Sequence, residues 1–517
     1  MFCCAYRADG AIDPIVSYSF YSLYKNPTVK KIKHFGNRKR HTKHMEENNR
    51  TKELGIKPIG QLLTKYAVPA VVAMTATSLY NIVDRVFIGR IPDVGTLSLS
   101  GLAVTFPISN LGAAFGAMVG VGASTMISIK LGQKDTKAAE RVLGNLFTLN
   151  LIIGTLVGLL GIVFIDPLLY FFGASENTIQ YARDYMLIIL IGNVISHMYL
   201  GLNNALRSTG HPNAAMSATV MGVIANSILD PIFIFQLGLG IKGAAYATVL
   251  AQVFTLCYVL WVLSRKDKNV IYLHSGIYKL KKQIVKNILS IGLSPFCMQL
   301  CACLVVILIN KGLAKHGGDI AIAAYGIVNS ITFLFVMVVM GICQGMQPIA
   351  GYNFGAQQPQ RVNEVLKKAI GFATIVMCCS FLICEFIPHL PVMMFTSDPE
   401  LTDITITGMK IIVIMSPIVG FQIVVANFFQ SIGMAKRSIF ISVSRQLVLL
   451  VPFLLIFPEI WGTKGVWASI STADGLSTLI AAAMLWHYYS KQNSMRMPKI
   501  RMKSTLLRTF FHNRVTP

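Results

Sequence analysis

The chain has 517 residues, of which 54% are hydrophobic and only 13% are charged, whereas soluble proteins average about 25% charged residues. A soluble protein of this length would fold into two or three domains, each with a charged surface. This chain has too few charged residues to form those surfaces. Together with a mean hydropathy of +0.59, these values predict a membrane protein.

The 46 basic and 22 acidic residues give a net charge of +24. In a soluble protein this surplus would indicate nucleic-acid binding, so the positions of the basic residues must decide its meaning. The ten cysteines lie mostly inside apolar runs and form no spaced pairs with histidine. We therefore interpret them as reduced packing residues and not as a disulfide framework or a zinc site.

Residues 1–57 form a basic leader that we expect to be disordered. Residues 1–44 lack the apolar core and cleavage site of a secretory signal, and Met45 is a candidate for the true start of the protein. The alternative is that the basic stretch before Met45 binds anionic lipid.

Twelve apolar runs follow, each close to the roughly 20 residues that a helix needs to cross about 30 Å of hydrocarbon. The runs cover 66–88, 101–127, 143–164, 185–205, 214–235, 243–263, 288–310, 321–349, 365–387, 407–430, 438–457 and 465–489. They predict an all-α integral membrane protein with twelve transmembrane helices.

The loops between the runs differ in charge. Those after runs 2, 4, 6, 8 and 10 carry 17 lysine and arginine residues, counting Lys367 and Lys368 at the start of the ninth run, and the alternate loops carry six. Because basic loops stay in the cytoplasm, we expect both termini to be cytoplasmic in the plasma (inner) membrane of a bacterium. The positive charge then marks topology and indicates no nucleic-acid partner.

The chain also matches itself at a constant offset, at which Gly132 pairs with Gly355 and Asn204 pairs with Asn427. We interpret this match as a duplication. Each copy holds six runs, so the two lobes share one orientation and are related by an axis along the membrane normal. The predicted domains are the leader (1–57), an N-lobe (58–263), a basic linker (264–287), a C-lobe (288–490) and a basic tail (491–517).

Two carboxylates are predicted at one depth of the N-lobe. The first and fifth runs both point outward, which places Asp84 and Asp230 about 6 Å below the outer boundary at about 1.5 Å per residue. Tyr80 and Asn226 each precede one of them by four residues and therefore share its helix face. Thr248 of the sixth run falls at the same level. Such oxygen groups can hold Na⁺ or bind protons.

Two simpler interpretations stay open at this stage: Asp84 could pair with Arg85, and Asp230 could cap a helix end. Pro231 follows Asp230 directly, and because proline donates no backbone hydrogen bond we expect it to bend the fifth helix. Pro69 is the corresponding hinge candidate in the first helix.

Arg445 and Asp474 lie midway along the eleventh and twelfth runs, at comparable depth. A buried structural ion pair is the simplest interpretation, and a role in coupling or substrate contact is the alternative. For the substrate pathway we name Asn203, Gln299 and Gln422 as candidates.

These features resemble the MATE family, the multidrug and toxic compound extrusion transporters, over nearly all of 58–490, and most closely its DinF-like, Gram-positive-type branch. The motifs that carry the resemblance are LYNIVDRVFIGR (79–90), KLGQKDTKAAERV (130–142), NNALRSTGHPNAAM (203–216), NSILDPIFIF (226–235) and GIKGAAYATVLAQ (240–252).

The resemblance implies an N-lobe cation site. The family's span-1 aspartate falls on Asp84, its span-5 asparagine and aspartate on Asn226 and Asp230, and its span-6 threonine on Thr248, while Tyr80 matches a neighbouring tyrosine. Another branch carries a second cation site with carboxylates on spans 7 and 10. Because 288–310 and 407–430 contain no carboxylate, we do not expect that second site here.

The sequence therefore predicts a secondary multidrug antiporter that exports amphiphilic, cationic compounds in exchange for Na⁺ or H⁺. We expect no further cofactor, no enzymatic activity, and a monomer in the lipid bilayer. The alternative is a flippase or exporter of a lipid-linked or other endogenous metabolite in the same superfamily. ATP-driven pumping is not expected, because the chain has no GxxxxGK[ST] loop.

Overall fold

The structure, a computed structural model, describes residues 52–92, 94–266, 269–396 and 398–512, without the side chains of Ile82 and 492–512. Within these ranges the chain forms helices and turns and no strand. The predicted start at Met45 and most of the predicted leader and tail lie outside the described side chains.

Twelve helical spans account for most of the described chain. Nine helices are each long and apolar enough to cross a membrane, and two bent helix pairs raise this number to 11. One of the nine, Lys282–Gly355, is 74 residues long and is interrupted at Gly318, whose φ of 62° and ψ of −160° leave the helical region. Because only glycine adopts such angles readily, this helix is two spans joined by a tight turn.

In chain order the spans are α1 (Ile59–Gly89), α2 (Gly95–Gly132), α3 (Thr136–Val163), α4 (Ile179–Ile191 with Asn193–Ser208), α5 (Pro212–Gln236), α6 (Gly240–Ser264), α7 and α8 (the parts of Lys282–Gly355 before and after Gly318), α9 (Pro359–Phe386), α10 (Pro399–Val413 with Ser416–Ser431), α11 (Ala435–Trp461) and α12 (Thr463–His512). Two short helices, Ile165–Phe171 and His389–Met393, lie in the connections after α3 and α9. Each of the twelve predicted runs falls on one of these spans to within one residue, so the predicted fold class is confirmed.

Four spans are irregular. α4 bends by 54° and α10 by 55° at their breaks. A π-helical turn, Ile232–Gln236, follows Pro231 at the end of α5, and a second one, Ser444–Leu450, lies inside α11. Because Pro231 has no N–H, the Ser227 carbonyl has no helical partner one turn before the first of these π-helical turns, so the two interruptions of the backbone bonding are adjacent. Pro69, by contrast, lies inside a continuous α1.

The two lobes, α1–α6 and α7–α12, meet through closely packed glycines. A methyl group added at Gly122 of α2 would overlap the Ile288 carbonyl of α7, and one at Gly292 of α7 would overlap the Met118 carbonyl. These contacts lie towards the loops that follow the even-numbered spans, and we call this end of the molecule the basic side.

The same contacts recur in the second copy of the repeat. At the offset found in the sequence, Met118 and Gly122 correspond to Gly341 and Gly345 of α8. These two glycines face Val71 and Ala67 of α1, at 2.7 and 2.5 Å from an added methyl group. The duplication is therefore also the symmetry of the lobe interface.

The segments that enter α1 and α7 are ordered. Residues 52–56 form a helical turn in which Leu54 is only 1% exposed, so the predicted disorder of the leader is wrong for this last part, because an apolar side chain is buried there. In the predicted linker, Ile271 and Ile277 are buried as well.

Candidate functional site

Side chains from α1, α5 and α6 form one hydrogen-bonded chain. The Tyr80 hydroxyl donates to Asn226 Oδ1 at 3.0 Å and lies 3.3 Å from Thr248 Oγ1. The Asn226 amide then donates to Asp230 Oδ1 at 2.6 Å. The structure thus joins four of the five predicted cation-site residues directly.

The fifth residue, Asp84, completes a pair of buried carboxylates with Asp230. Asp84 is 8% exposed and Asp230 is fully buried, and the two are close enough to interact electrostatically. Asp84 Oδ1 and Asp230 Oδ2 each lack a hydrogen-bond partner among the described residues. Buried charge without a partner is costly, and two carboxylates placed in this way can take up a cation or a proton.

The simpler interpretations of the two aspartates do not describe the structure. Arg85 is near enough for its charge to act on Asp84, but no ion pair within 4 Å joins them, and the guanidinium lies 5.8 Å from the centre of the Phe106 ring. Asp230 is hydrogen-bonded to the Asn226 side chain inside the lobe. Since it lies towards the carboxyl end of α5, where carbonyls are unpaired, its carboxylate could not cap that end by accepting hydrogen bonds.

Tyr185 of α4 is a site residue that the sequence reasoning missed. Its side chain is buried and interacts with Asp84, Asp230 and Thr248. Nothing in the local sequence marks this tyrosine as functional. The available signal was depth: Tyr185 lies near the outer end of an inward-running span, on the same level as the two aspartates.

A close helix approach brings α6 to the site. Gly243, in the first turn of α6, faces the end of α5, where an added methyl group would lie 2.6 Å from the Phe233 carbonyl. A larger residue would push α6 away from the π-helical turn that follows Pro231. Glycine at this position therefore lets Thr248, about one and a half turns further along α6, reach Tyr80.

The candidate residues outside this site, one in the N-lobe and four in the C-lobe, have different surroundings. Arg445 Nε lies 2.6 Å from Asp474 Oδ1, and their side chains are 29% and 9% exposed. Asn203 and Gln422 are 3% and 4% exposed, because each packs inside its own lobe, so neither lines an open pathway in this conformation. Gln299 is partly exposed and is the accessible member of the three.

The described residues contain no group of three or more histidine, cysteine, aspartate or glutamate side chains that could hold a metal ion. Two carboxylates with amide and hydroxyl oxygens are instead a donor set for a hard, weakly bound cation such as Na⁺, or for a proton.

Comparison with known proteins identifies the family. The MatE family model matches residues 69–232 and 295–456, once in each lobe. The Multidrug export protein MepA of Staphylococcus aureus (strain MSSA476) is 26% identical over 431 residues, covering 83% of this chain and 94% of that protein.

Solved structures agree with this result. A structure described as "Outward-facing conformation of a multidrug resistance MATE family transporter of the MOP superfamily" has a TM-score of 0.80 and 25% identity and covers 85% of this chain and 97% of its own. The structure of the MATE multidrug transporter DinF-BH has a TM-score of 0.78 and 33% identity, with 84% and 96% covered. The chain therefore belongs to the MatE family and is a multi-pass membrane transporter, not an enzyme.

Proposed function

We propose that this transporter exports amphiphilic, cationic small molecules in exchange for Na⁺ or H⁺ bound in the N-lobe by Asp84, Asn226, Asp230 and Thr248, with Tyr80 and Tyr185 ordering these groups. The observation that carries the proposal is the pair of buried carboxylates, each with an oxygen that lacks a partner among the described residues. An intramembrane carboxylate is costly to keep without a use.

The proposed coupling follows from the charge of this pair. With both carboxylates ionised, Asp84 and Asp230 repel each other, and uptake of one cation or proton removes that repulsion. Asp230 adjoins Pro231 and the π-helical turn of α5, where the regular backbone bonding is already interrupted. We infer that the charge change is passed to this turn and reshapes the face that the N-lobe presents to the C-lobe.

The direction of transport rests on the basic loops. We propose that the basic side faces the cytoplasm of a bacterium and that both termini lie there, so that the cation site is close to the outer surface. An inward cation gradient would then load the site from outside. A multidrug substrate range is supported by the relatives, which include a multidrug export protein and a multidrug transporter of known structure.

The test is efflux of a fluorescent lipophilic cation from proteoliposomes that contain the purified full chain. A Na⁺ gradient and a pH gradient are applied separately, and the one that drives efflux names the coupling ion. We expect Asp84→Asn and Asp230→Asn each to reduce gradient-driven efflux by at least about tenfold, because each removes an ionisable ligand.

A matched control is Asp166→Asn. Asp166 is an exposed aspartate that pairs with Arg183 at 2.7 Å, outside the site, and its loss should leave efflux unchanged. If Asp84→Asn and Asp230→Asn both keep full gradient-driven efflux, the N-lobe site does not couple transport.

A further inference from the structure

The segment that enters α1 crosses from one lobe to the other on the basic side. Residues 52–57 precede the N-lobe in the sequence, but their carbonyls accept hydrogen bonds from the C-lobe. Arg361 Nη2 of α9 donates to the Leu54 carbonyl at 3.0 Å and to the Lys57 carbonyl at 2.7 Å. Asn353 of α8 also donates to the Leu54 carbonyl, at 2.9 Å.

The donors of this contact are themselves fixed. Arg361 Nε donates to Asn353 Oδ1 at 2.9 Å, so the guanidinium and the amide act as one unit. Hydrogen bonds from a charged donor are roughly twice as strong as neutral ones. The contact is therefore a strong one for a segment that lies before the first span.

The segment is also anchored to its own lobe. The Glu53 carboxylate lies 2.7 Å from Lys65 Nζ and 3.0 Å from Lys57 Nζ. Partial burial alone would raise the pKa of the Glu53 carboxyl, but its bonds to Lys65 and Lys57 lower it. Glu53 is thus ionised at neutral pH and ties the segment to α1.

The entry to α7 makes the reciprocal crossing. The Thr148 hydroxyl of α3 donates to the Tyr278 carbonyl at 2.8 Å, and the Asn145 amide donates to the Lys279 carbonyl at 3.2 Å. Asn145 Oδ1 in turn accepts from the Lys281 backbone N–H at 2.9 Å. Here the segment that leads into the C-lobe is fixed to the third span of the N-lobe.

We propose that 52–57 and 277–281 are two straps that hold the lobes together on the basic side, and that both must release before that side can open. Each strap joins the segment before the first span of one lobe to the third span of the other lobe, in keeping with the repeat. Their chemistry differs, since Arg361 and Asn353 correspond at the offset of the repeat to Ala138 and Lys130. The inference rests on the proposed transport cycle, in which the basic side opens to take up substrate.

The test measures opening directly and requires no transport. Ser128 of α2 is fully buried in the lobe interface, facing Gly351. A cysteine placed there, Ser128→Cys, is labelled with a polar maleimide in purified full chain, and the parent chain without this cysteine is the background. We expect Arg361→Gln and Asn145→Ala each to raise the labelling rate by about tenfold, because each removes several hydrogen bonds that stabilise the closed interface.

Lys367→Gln is the matched control, because Lys367 is an exposed cation on the same helix as Arg361. Added to the Ser128→Cys chain, it should leave the labelling rate of that chain unchanged. The two strap variants are independent, so if one fails to fold the other still decides the inference. If the folded strap variants are labelled no faster than the Ser128→Cys chain itself, the inference is overturned, even if efflux is coupled as proposed. Increased labelling supports them even if the coupling site is wrong.

Discussion

At the residue scale, the N-lobe site and the C-lobe ion pair use charge in opposite ways. Asp84 and Asp230 keep buried oxygens without a partner among the described residues, as a reversible cation site requires. Arg445 and Asp474 satisfy each other at 2.6 Å, which leaves no net charge to exchange. Carboxylates therefore have a free oxygen in one lobe and a cationic partner in the other, which fits the proposed binding role of the first and the proposed structural role of the second.

Removing one member of the Arg445–Asp474 pair should destabilise the protein, because the remaining charge is left buried alone. We expect Asp474→Asn or Arg445→Met to cost about 2–5 kcal/mol and to lower the midpoint of thermal unfolding in detergent. The double variant should recover much of this loss, since it buries no charge. Thermal midpoints and efflux of the three variants are the measurement.

The control for this cycle is Lys315→Met, which removes a cation from the exposed pair with Glu459 and should change the midpoint little. A stable double variant that exports normally assigns the pair to structure alone. A stable double variant without efflux would contradict that assignment and favour the coupling or substrate role.

Five of the six residues in the N-lobe site were predictable from the sequence. Depth along α1, α5 and α6 and the four-residue spacing on α1 and α5 were sufficient, because helices of known direction carry residues at calculable heights. Tyr185 could not be selected in this way, since many tyrosines lie near span ends and only tertiary packing chooses one. The burial of Asn203 and Gln422 could not be predicted either, because hydropathy does not tell which helix face packs against a neighbouring helix.

At the element scale, the spans were predictable and their shapes were not. Length and hydropathy locate a span, because the hydrocarbon thickness sets both. The bend of α4 lies at Gly192, where an added methyl group would lie 2.5 Å from the Val249 side chain of α6. The π-helical turn in α11 ends just before Pro452, but a proline by itself does not tell whether a helix kinks or changes its hydrogen bonding. Such features are set by contacts between helices that a single segment does not contain.

Close helix approach on the basic side should be sensitive to single methyl groups. At Gly292 an added methyl would overlap the Met118 carbonyl of the α2 backbone, which cannot move aside as a side chain can. We expect Gly292→Ala to prevent closure of this side and to reduce efflux by at least about tenfold, since overpacking a close contact costs about 1–3 kcal/mol. Proteoliposome efflux is the measurement.

The matched control is Gly371→Ala in α9, where an added methyl group meets nothing within 4 Å. Alanine is the better helix former by about 1 kcal/mol, so this variant should export normally and be at least as stable. If Gly292→Ala also exports normally, closure of the basic side does not need the backbone contact between α2 and α7.

At the scale of the whole molecule, a symmetric fold carries an asymmetric site. Aligning Pro69 of α1 with Pro295 of α7 places Asp84 opposite Asn310. At the offset that pairs Gly132 with Gly355, Asp230 falls on Phe453. The C-lobe thus copies the helices and the glycine contacts of the N-lobe but not its carboxylates. In the proposed mechanism the N-lobe therefore responds to the cation, and the C-lobe has no matching carboxylates with which to respond.

The proposed mechanism gives transport its direction only if the membrane orientation is the proposed one. Reporter fusions made after successive turns of the chain test it. Green fluorescent protein, which fluoresces only in the cytoplasm, should be bright when fused after Lys134 or Gly210. Alkaline phosphatase, which is active only outside, should be active after Gly173 or Gly238. These four residues lie in turns with positive φ between spans, where a fusion disturbs no helix.

We expect this pattern because 17 basic residues lie in or next to the loops after the even-numbered spans, against six in the alternate loops, and moving Lys and Arg across the membrane is costly. Each fusion point is tested with both reporters, so a silent fusion is checked by its partner. The inverted pattern would place Asp84 and Asp230 near the cytoplasmic surface. An inward gradient could then no longer load the site from outside, and exchange for an inward cation would have to be abandoned while the fold and the site geometry stood.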